Sequence, residues 1–171
     1  MSDSANEIVP RDFRDAMGRF CTGVVVVTGL HDGRPIGFSA QSFVSLSLDP
    51  PLVAICPARS STTWPLIRHS GTFGINILNA DQHDLCANFA RSGGDKFRDL
   101  AWRRGDSGVP MLPDVLGLVE CRLEVEHEAG DHTIAVGRVL TLGGFSQPGA
   151  PLLFFCGRYG GFSDLDAVGA T

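Results

Sequence analysis

Residues Gly37 to Pro51 read GFSAQSFVSLSLDPP. Within them Val44, Leu46 and Leu48 alternate with Ser45 and Ser47, so an extended chain carries apolar side chains on one face and hydroxyls on the other, the period of a strand. Pro50 and Pro51 end it, because proline brings no ladder donor and restricts the residue before it. Leu52 to Cys56 follows as an apolar run without alternation, which suits a strand covered on both faces. The chain then enters CPARSSTTW, Cys56 to Trp64, a loop of small hydroxylated residues with one cation, Arg59. Thr63 stands as an N-cap ahead of Trp64-Pro65, so a helix is expected to start there. A hydroxyl-rich loop feeding a helix N-terminus suits an anion such as phosphate. The same residues also serve as ordinary caps and turns.

Upstream of this stretch, Met1 to Pro10 reads as a loose arm, and from Arg11 the residues Phe13, Ala16, Met17 and Phe20 share one helical face. Val24 to Thr28 is a β-branched run and predicts a buried strand. The Asp32-Gly33 turn should fold that strand against Pro35–Ser39 as a hairpin, with His31 solvated beside the turn. Downstream, a helix over Trp64 to His69 ends at Ser70-Gly71, Phe73 to Leu78 reads as a strand, and Asp81 caps a helix in which Leu85 and Phe89 face one way. Arg91 to Leu100 is a loop, either a surface connection or a lid. In Leu118 to His127 the residues Val119, Cys121, Leu123 and Val125 alternate with Glu120, Arg122, Glu124 and Glu126, so the charged face should meet water. Gly130-Asp131 turns the chain, Thr133 to Leu142 returns, and Leu152 to Cys156 forms a last strand. About seven strands and three short helices, without a βαβα rhythm, predict a mainly β domain over 11–162, an antiparallel barrel, between an arm at 1–10 and a tail at 163–171.

The 171 residues are 43% hydrophobic and 19% charged, as in a folded globule, and the net charge of −5 argues against nucleic acid or an anionic membrane as partner. No apolar run approaches the roughly 20 residues of a membrane span. Charges throughout the first 20 residues speak against a signal peptide. The five cysteines (21, 56, 86, 121, 156) have no framework spacing and read as reduced, mostly buried thiols in a cytoplasmic protein. The histidines at 31, 69, 83, 127 and 132 lack metal spacing, so no metal site is expected. There is no GxGxxG after a strand, no GxxxxGK[ST], no HExxH and no GxSxG, so a bound nucleotide would not be held by a Rossmann turn.

Taken in order, FCTGVVVVTG (Phe20–Gly29), GFSAQSFVSLSLDPPLV (Gly37–Val53), FGINIL (Phe73–Leu78), GGDKF (Gly93–Phe97), GDHTIAVGRV (Gly130–Val139) and PLLFFCGRYGGF (Pro151–Phe162) resemble the short-chain flavin reductases. These are the reductase components of two-component flavin-dependent monooxygenases, and the likeness runs from about Arg11 to Phe162. The resemblance implies a split β-barrel of Greek-key type, a homodimer with flavin near the subunit interface, and reduction of FMN or FAD by NADH or NADPH. Reduced flavin would then pass to a separate monooxygenase. Hydride moves from nicotinamide C4 to flavin N5, so the protein must stack two flat rings and exclude water, and no acid–base pair is required.

Carried over residue by residue, the resemblance puts Pro35, Gly37, Phe38, Ser39, Gln41 and Ser42 along the flavin, with Cys56, Pro57 and Ala58 beside it. Thr62 and Thr63 would hold the phosphate, and Asn88 and Phe89 would complete that wall. Phe38 and Phe89 suit core packing as well. His132 would stand beside the nicotinamide as the catalytic-site histidine, with Phe155, Arg158 and Tyr159 on the same side; a turn histidine can also be simply exposed. Lys96 either reaches a phosphate or faces solvent. Ser39 and Gln41 replace the threonine and the asparagine or serine of many relatives, which leaves FMN against FAD open. Cys156 stands where a larger or basic residue is common. The acidic chain leans toward NADH, since a 2′-phosphate calls for a cation. The alternatives are a flavin carrier or storage protein without turnover and, with only Arg59 in its favour, a barrel oxidase acting on a phosphorylated pyridoxine.

Overall fold

Four consecutive valines set the middle of the fold. Val24 and Val26 enter one apolar core with Leu78, Phe89, Leu118 and Leu152, while Val25 and Val27 enter another with Ile55, Ile67, Phe73 and Ile75. Successive strand side chains lie on opposite faces, so a strand covered on both sides has no polar position, and a valine run meets that demand.

The computed structural model describes residues 8–145 and 148–164, so most of the expected arm and tail lies outside the described residues. Its elements are α1 (Pro10–Met17), β1 (Thr22–Gly23), β2 (Val25–His31), β3 (Arg34–Ala40), β4 (Val44–Leu48), β5 (Pro51–Ile55), α2 (Trp64–Ser70), β6 (Thr72–Ile77), α3 (His83–Ala90), β7 (Arg103–Arg104), β8 (Pro110–Met111), β9 (Gly117–Ala129), β10 (His132–Gly143), β11 (Leu153–Phe155) and β12 (Arg158–Gly160). Seven strands make one antiparallel sheet in the order β3-β2-β6-β9-β10-β5-β4, with β1-β11-β12 as a second sheet and β7-β8 as a short ribbon.

The mainly β class with three helices stands, but the Greek-key barrel does not form: the sheet is open. Its edges are β3 and β4, and among the described residues no ladder joins them. At the outer edge of β3, α3 and its following loop take the place of a strand. Lys96 Nζ donates to the carbonyls of Gly37 at 3.2 Å and Phe89 at 3.0 Å.

The β2–β3 hairpin forms through the Asp32-Gly33 turn, from His31↔Arg34 to Val25↔Ala40. Both charged-face expectations for β9 need correction. Glu120 is buried, and Glu124 is an extra residue at a bulge, since Val125 pairs with Val136 and Leu123 with Gly137. A bulge exchanges the faces beyond it, so Val125 is exposed and Glu126 turns inward to accept from Trp64 Nε1 at 2.8 Å. The caps also differ. Ser61 Oγ, not Thr63, accepts from the Trp64 amide at 3.1 Å, and α3 starts after Gln82 rather than at Asp81. Two cysteines, Cys86 and Cys121, are buried, whereas Cys21 and Cys156 are exposed.

Candidate functional site

The end of β3 and the end of β5 lie side by side because the β4–β5 hairpin folds the chain back on itself. Ser42 fastens the two: its Oγ accepts from the Cys56 amide at 2.9 Å and donates to the Cys56 carbonyl at 3.4 Å. Gln41 Oε1 accepts from the Thr22 hydroxyl at 3.3 Å. Phe38, Ser39, Gln41 and Ser42 from one segment, and Cys56, Pro57 and Ala58 from the other, form a wall of a cleft of about 710 Å³.

The β9–β10 turn is stitched to that wall. Thr133 N donates to Pro57 O at 3.0 Å and Arg59 N to Asp131 O at 2.9 Å, which sets His132 against Ala58 at the cleft. The His132 side chain is 46% exposed, and its Nδ1 lies 2.7 Å from Asp131 Oδ1. The hydrogen bond from His132 and its charge hold the Asp131 carboxyl below its ordinary value. Phe13 and Met17 of α1, Cys86 of α3 and Tyr159 of β12 close the other side. Cys86 Sγ lies 3.4 Å from Tyr159 Oη, and this contact together with burial pushes the phenol up to about 12, so it is neutral near pH 7.

A second cleft of about 290 Å³ shares Phe38, Ser39, Ala58 and Ser61 with the first and adds Thr62, Thr63, Phe89, Arg91 and Lys96. Thr63 makes no side-chain cap bond to α2. Burial lowers the Lys96 ammonium. A third cleft of about 420 Å³ takes in Pro35 and Gly37 together with Arg34, Thr63, Lys96 and Trp102. The arrangement suits a flat, largely apolar ligand with a polar edge and an anionic tail: apolar surface and hydroxyls come first, cations after them.

Most of the residues singled out in the sequence therefore line these three clefts, and three do not. Asn88 braces the loop instead, donating through Nδ2 to Lys96 O at 2.7 Å. Phe155 and Arg158 line a fourth cleft with Cys21 and Cys156, which meets the first at Tyr159. The β11–β12 register pairs Phe154 with Tyr159 and Phe155 with Arg158. Directly opposed strand residues share a face, so Phe155 and Arg158 lie on the face opposite Phe154 and Tyr159, and Tyr159 alone borders both clefts. Phe89 is 1% exposed and packs edge-on against Phe97, so it also serves the core.

Several lining residues escaped the sequence reading. The spacing of Phe13 and Met17 was visible, but neither is buried in the chain. Ser61 belongs to the hydroxyl run already noticed. Cys86, Arg91 and Trp102 arrive from remote elements and leave no local signal.

A family model described as flavin reductase like domain matches residues 17–163. The reductase subunit HsaB of a flavin-dependent monooxygenase from Rhodococcus jostii is 44% identical over 167 residues, covering 98% of this chain and 85% of that protein. The FMN reductase (NADH) SmoA of Agrobacterium fabrum is 48% identical over 153 residues, 90% of this chain and 86% of that one. Among solved structures, nitrilotriacetate monooxygenase component B from Mycobacterium thermoresistibile superposes with a TM-score of 0.86 at 42% identity, covering 90% of this chain and 86% of that chain. The NADH:FAD oxidoreductase SgcE6 of Streptomyces globisporus gives 0.82 at 34% identity, covering 94% and 99%.

Proposed function

This chain belongs to the flavin reductase-like family, and from that premise we propose which of its residues hold the two ligands of the reaction. The protein is an NAD(P)H-dependent flavin reductase that uses FMN or FAD and supplies reduced flavin to a partner monooxygenase. The observation that carries the assignment of residues is the continuity of the apolar first cleft with the cationic second one.

The first cleft fits a flavin ring in size, since small-molecule sites run from about 300 to 1,000 Å³. Its lining fits as well, with Phe38, Pro57 and Ala58 as apolar walls and Ser39, Gln41 and Ser42 as hydrogen-bonding groups. When bound, flavin supplies the electron sink that accepts hydride from the nicotinamide. The protein's own part is placement. Ser42 locks the Cys56 backbone against β3, and Thr62, Thr63 and Lys96 take the phosphate end. Asn88 steadies the Lys96 loop, Phe89 backs the wall, and Pro35 and Gly37 border its far end. Asp131 orients His132 toward the nicotinamide, with Tyr159 opposite and Phe155 and Arg158 along the hairpin.

The direct test follows NADH absorbance in air with added FMN, FAD or riboflavin. Oxidation that needs catalytic protein and rises with flavin is expected. Flavin retained on the protein without NADH oxidation would instead establish the carrier alternative. His132→Ala should leave flavin affinity within about twofold and lower turnover by roughly tenfold or more; unchanged turnover removes His132 from the reaction.

We also assign a homodimer, supported by the apolar faces that α1 and β4 leave exposed. No helix among the described residues is long and apolar enough to cross a membrane. Five free cysteines suit the reducing cytoplasm.

A further inference from the structure

The three clefts form a line. The first and second share Phe38, Ser39, Ala58 and Ser61, the second and third share Thr63, Gly93 and Lys96, and the first and third share no residue. Resting on the reading that the first cleft holds the flavin ring, we propose that this trough takes FAD in preference to FMN. Its diphosphate lies at the Thr63–Gly93–Lys96 constriction, and its adenosine lies in the third cleft between Arg34 and Trp102.

Charge fixes the middle of the line. Lys96 and Arg91 line the second cleft, and Lys96 and Arg34 line the third. Among the described residues none of the three meets a carboxylate, whereas Arg59, Arg68 and Arg138 all do. Lys96 Nζ rests on two backbone carbonyls, neutral acceptors that a diphosphate outcompetes. Asp95 also borders the third cleft, but its Oδ1 already accepts from the Phe97 amide at 3.1 Å. A phosphate monoester ending at Lys96 would leave the third cleft unused.

The third cleft has the chemistry of a base site. Trp102 is part-exposed at its wall, with its ring held edge-on to Phe97 and the Arg104 guanidinium 6.0 Å from its centroid. Indole stacking holds a purine without reading its edges. Gly93 and Gly94, at φ 71° and 75°, carry the backbone past the constriction with open space where side chains would stand.

Equilibrium titration of the full chain with FAD, FMN and riboflavin, followed by flavin fluorescence, tests this. FAD should bind about tenfold tighter than FMN. Arg34→Ala and Trp102→Leu should each weaken FAD about five- to tenfold while FMN stays within twofold. Trp102 packs against the core, so the exposed Arg34 gives the variant free of folding effects. ADP should compete with FAD and not with riboflavin. Equal affinity for FAD and FMN, or an Arg34→Ala effect of the same size on both, would overturn the inference and leave the flavin-ring assignment standing. Folded protein that binds no flavin would remove that assignment and this inference together.

Discussion

A carboxylate with 3% of its surface exposed, as Glu120 has, is driven toward its neutral form by burial. Here hydrogen bonds reverse the outcome. Burial raises the Glu120 carboxyl, but the Ser107 hydroxyl and the amides of Ser107 at 2.7 Å and Asp106 at 2.8 Å outweigh it and hold the group below its ordinary value. A side chain at Gly105 would fall onto that carboxylate, so glycine is what allows the loop to lie against it. Because the folded value is depressed, the stabilisation is fully present above the ordinary carboxylate value of about 4.3 and is lost as pH falls through the folded value. Glu120→Gln should therefore cost about 1–3 kcal/mol in urea unfolding near neutral pH. The gap from the parent protein should narrow once the pH drops below about 4. A gap that stays constant with pH would mean that the charge is not what the loop holds.

At the scale of elements, the long β9–β10 pair depends on a close approach. The register shifts between Val136 and Gly137, and a Cβ on Gly137 would meet Phe73 Cζ at 2.5 Å and Cys121 Cβ at 3.0 Å. Both neighbours are buried. Gly137→Ala is expected to cost roughly 1–3 kcal/mol and to lower Tm by about 2–12 °C. Flavin affinity should hold, since Gly137 lines none of the three clefts; an unchanged Tm would show that Phe73 can move aside. Although the register shift between Ser45 and Ser47 breaks the single apolar face expected for Val44, Leu46 and Leu48, strands were legible in the sequence from alternation or from an unbroken β-branched run: β2 with β3, β4 with β5, and β9 with β10. The Glu124 bulge was not, because an extra residue in one strand is defined only by its partner. Nor was β12, three residues of RYG without an apolar pattern. The site divides in the same way. Phe38, Ser39, Gln41, Ser42 and residues 56–58 were reached through the family resemblance, on motifs that lie at two adjoining strand ends, whereas Cys86 and Trp102 reach the clefts only through tertiary packing.

At the scale of the whole molecule, closure of a sheet depends on its two edge strands meeting, and neither strand's sequence records that. The β3 edge is covered by the Lys96 loop, while β4 turns its apolar residues to solvent: Leu48 is 91% exposed, and Val44 and Leu46 are each 52% exposed. Helix α1 buries none of its residues, although Phe13 and Met17 share its apolar face. An unpaired strand edge with apolar side chains invites association, and a second copy would cover the apolar side chains that one chain leaves open. The full chain is therefore expected to scatter light as a dimer, and Leu46→Glu combined with Leu48→Glu to scatter as a monomer with its far-ultraviolet circular dichroism unchanged. A parent protein that is monomeric at micromolar concentration would end the homodimer assignment. Flavin affinity of the monomeric variant carries the argument into the site. Phe13 and Met17 line the first cleft from the same exposed helix face. If the partner copy steadies that helix, the variant should lose flavin affinity by about tenfold. Full affinity in the monomer would show that one chain completes the flavin site by itself.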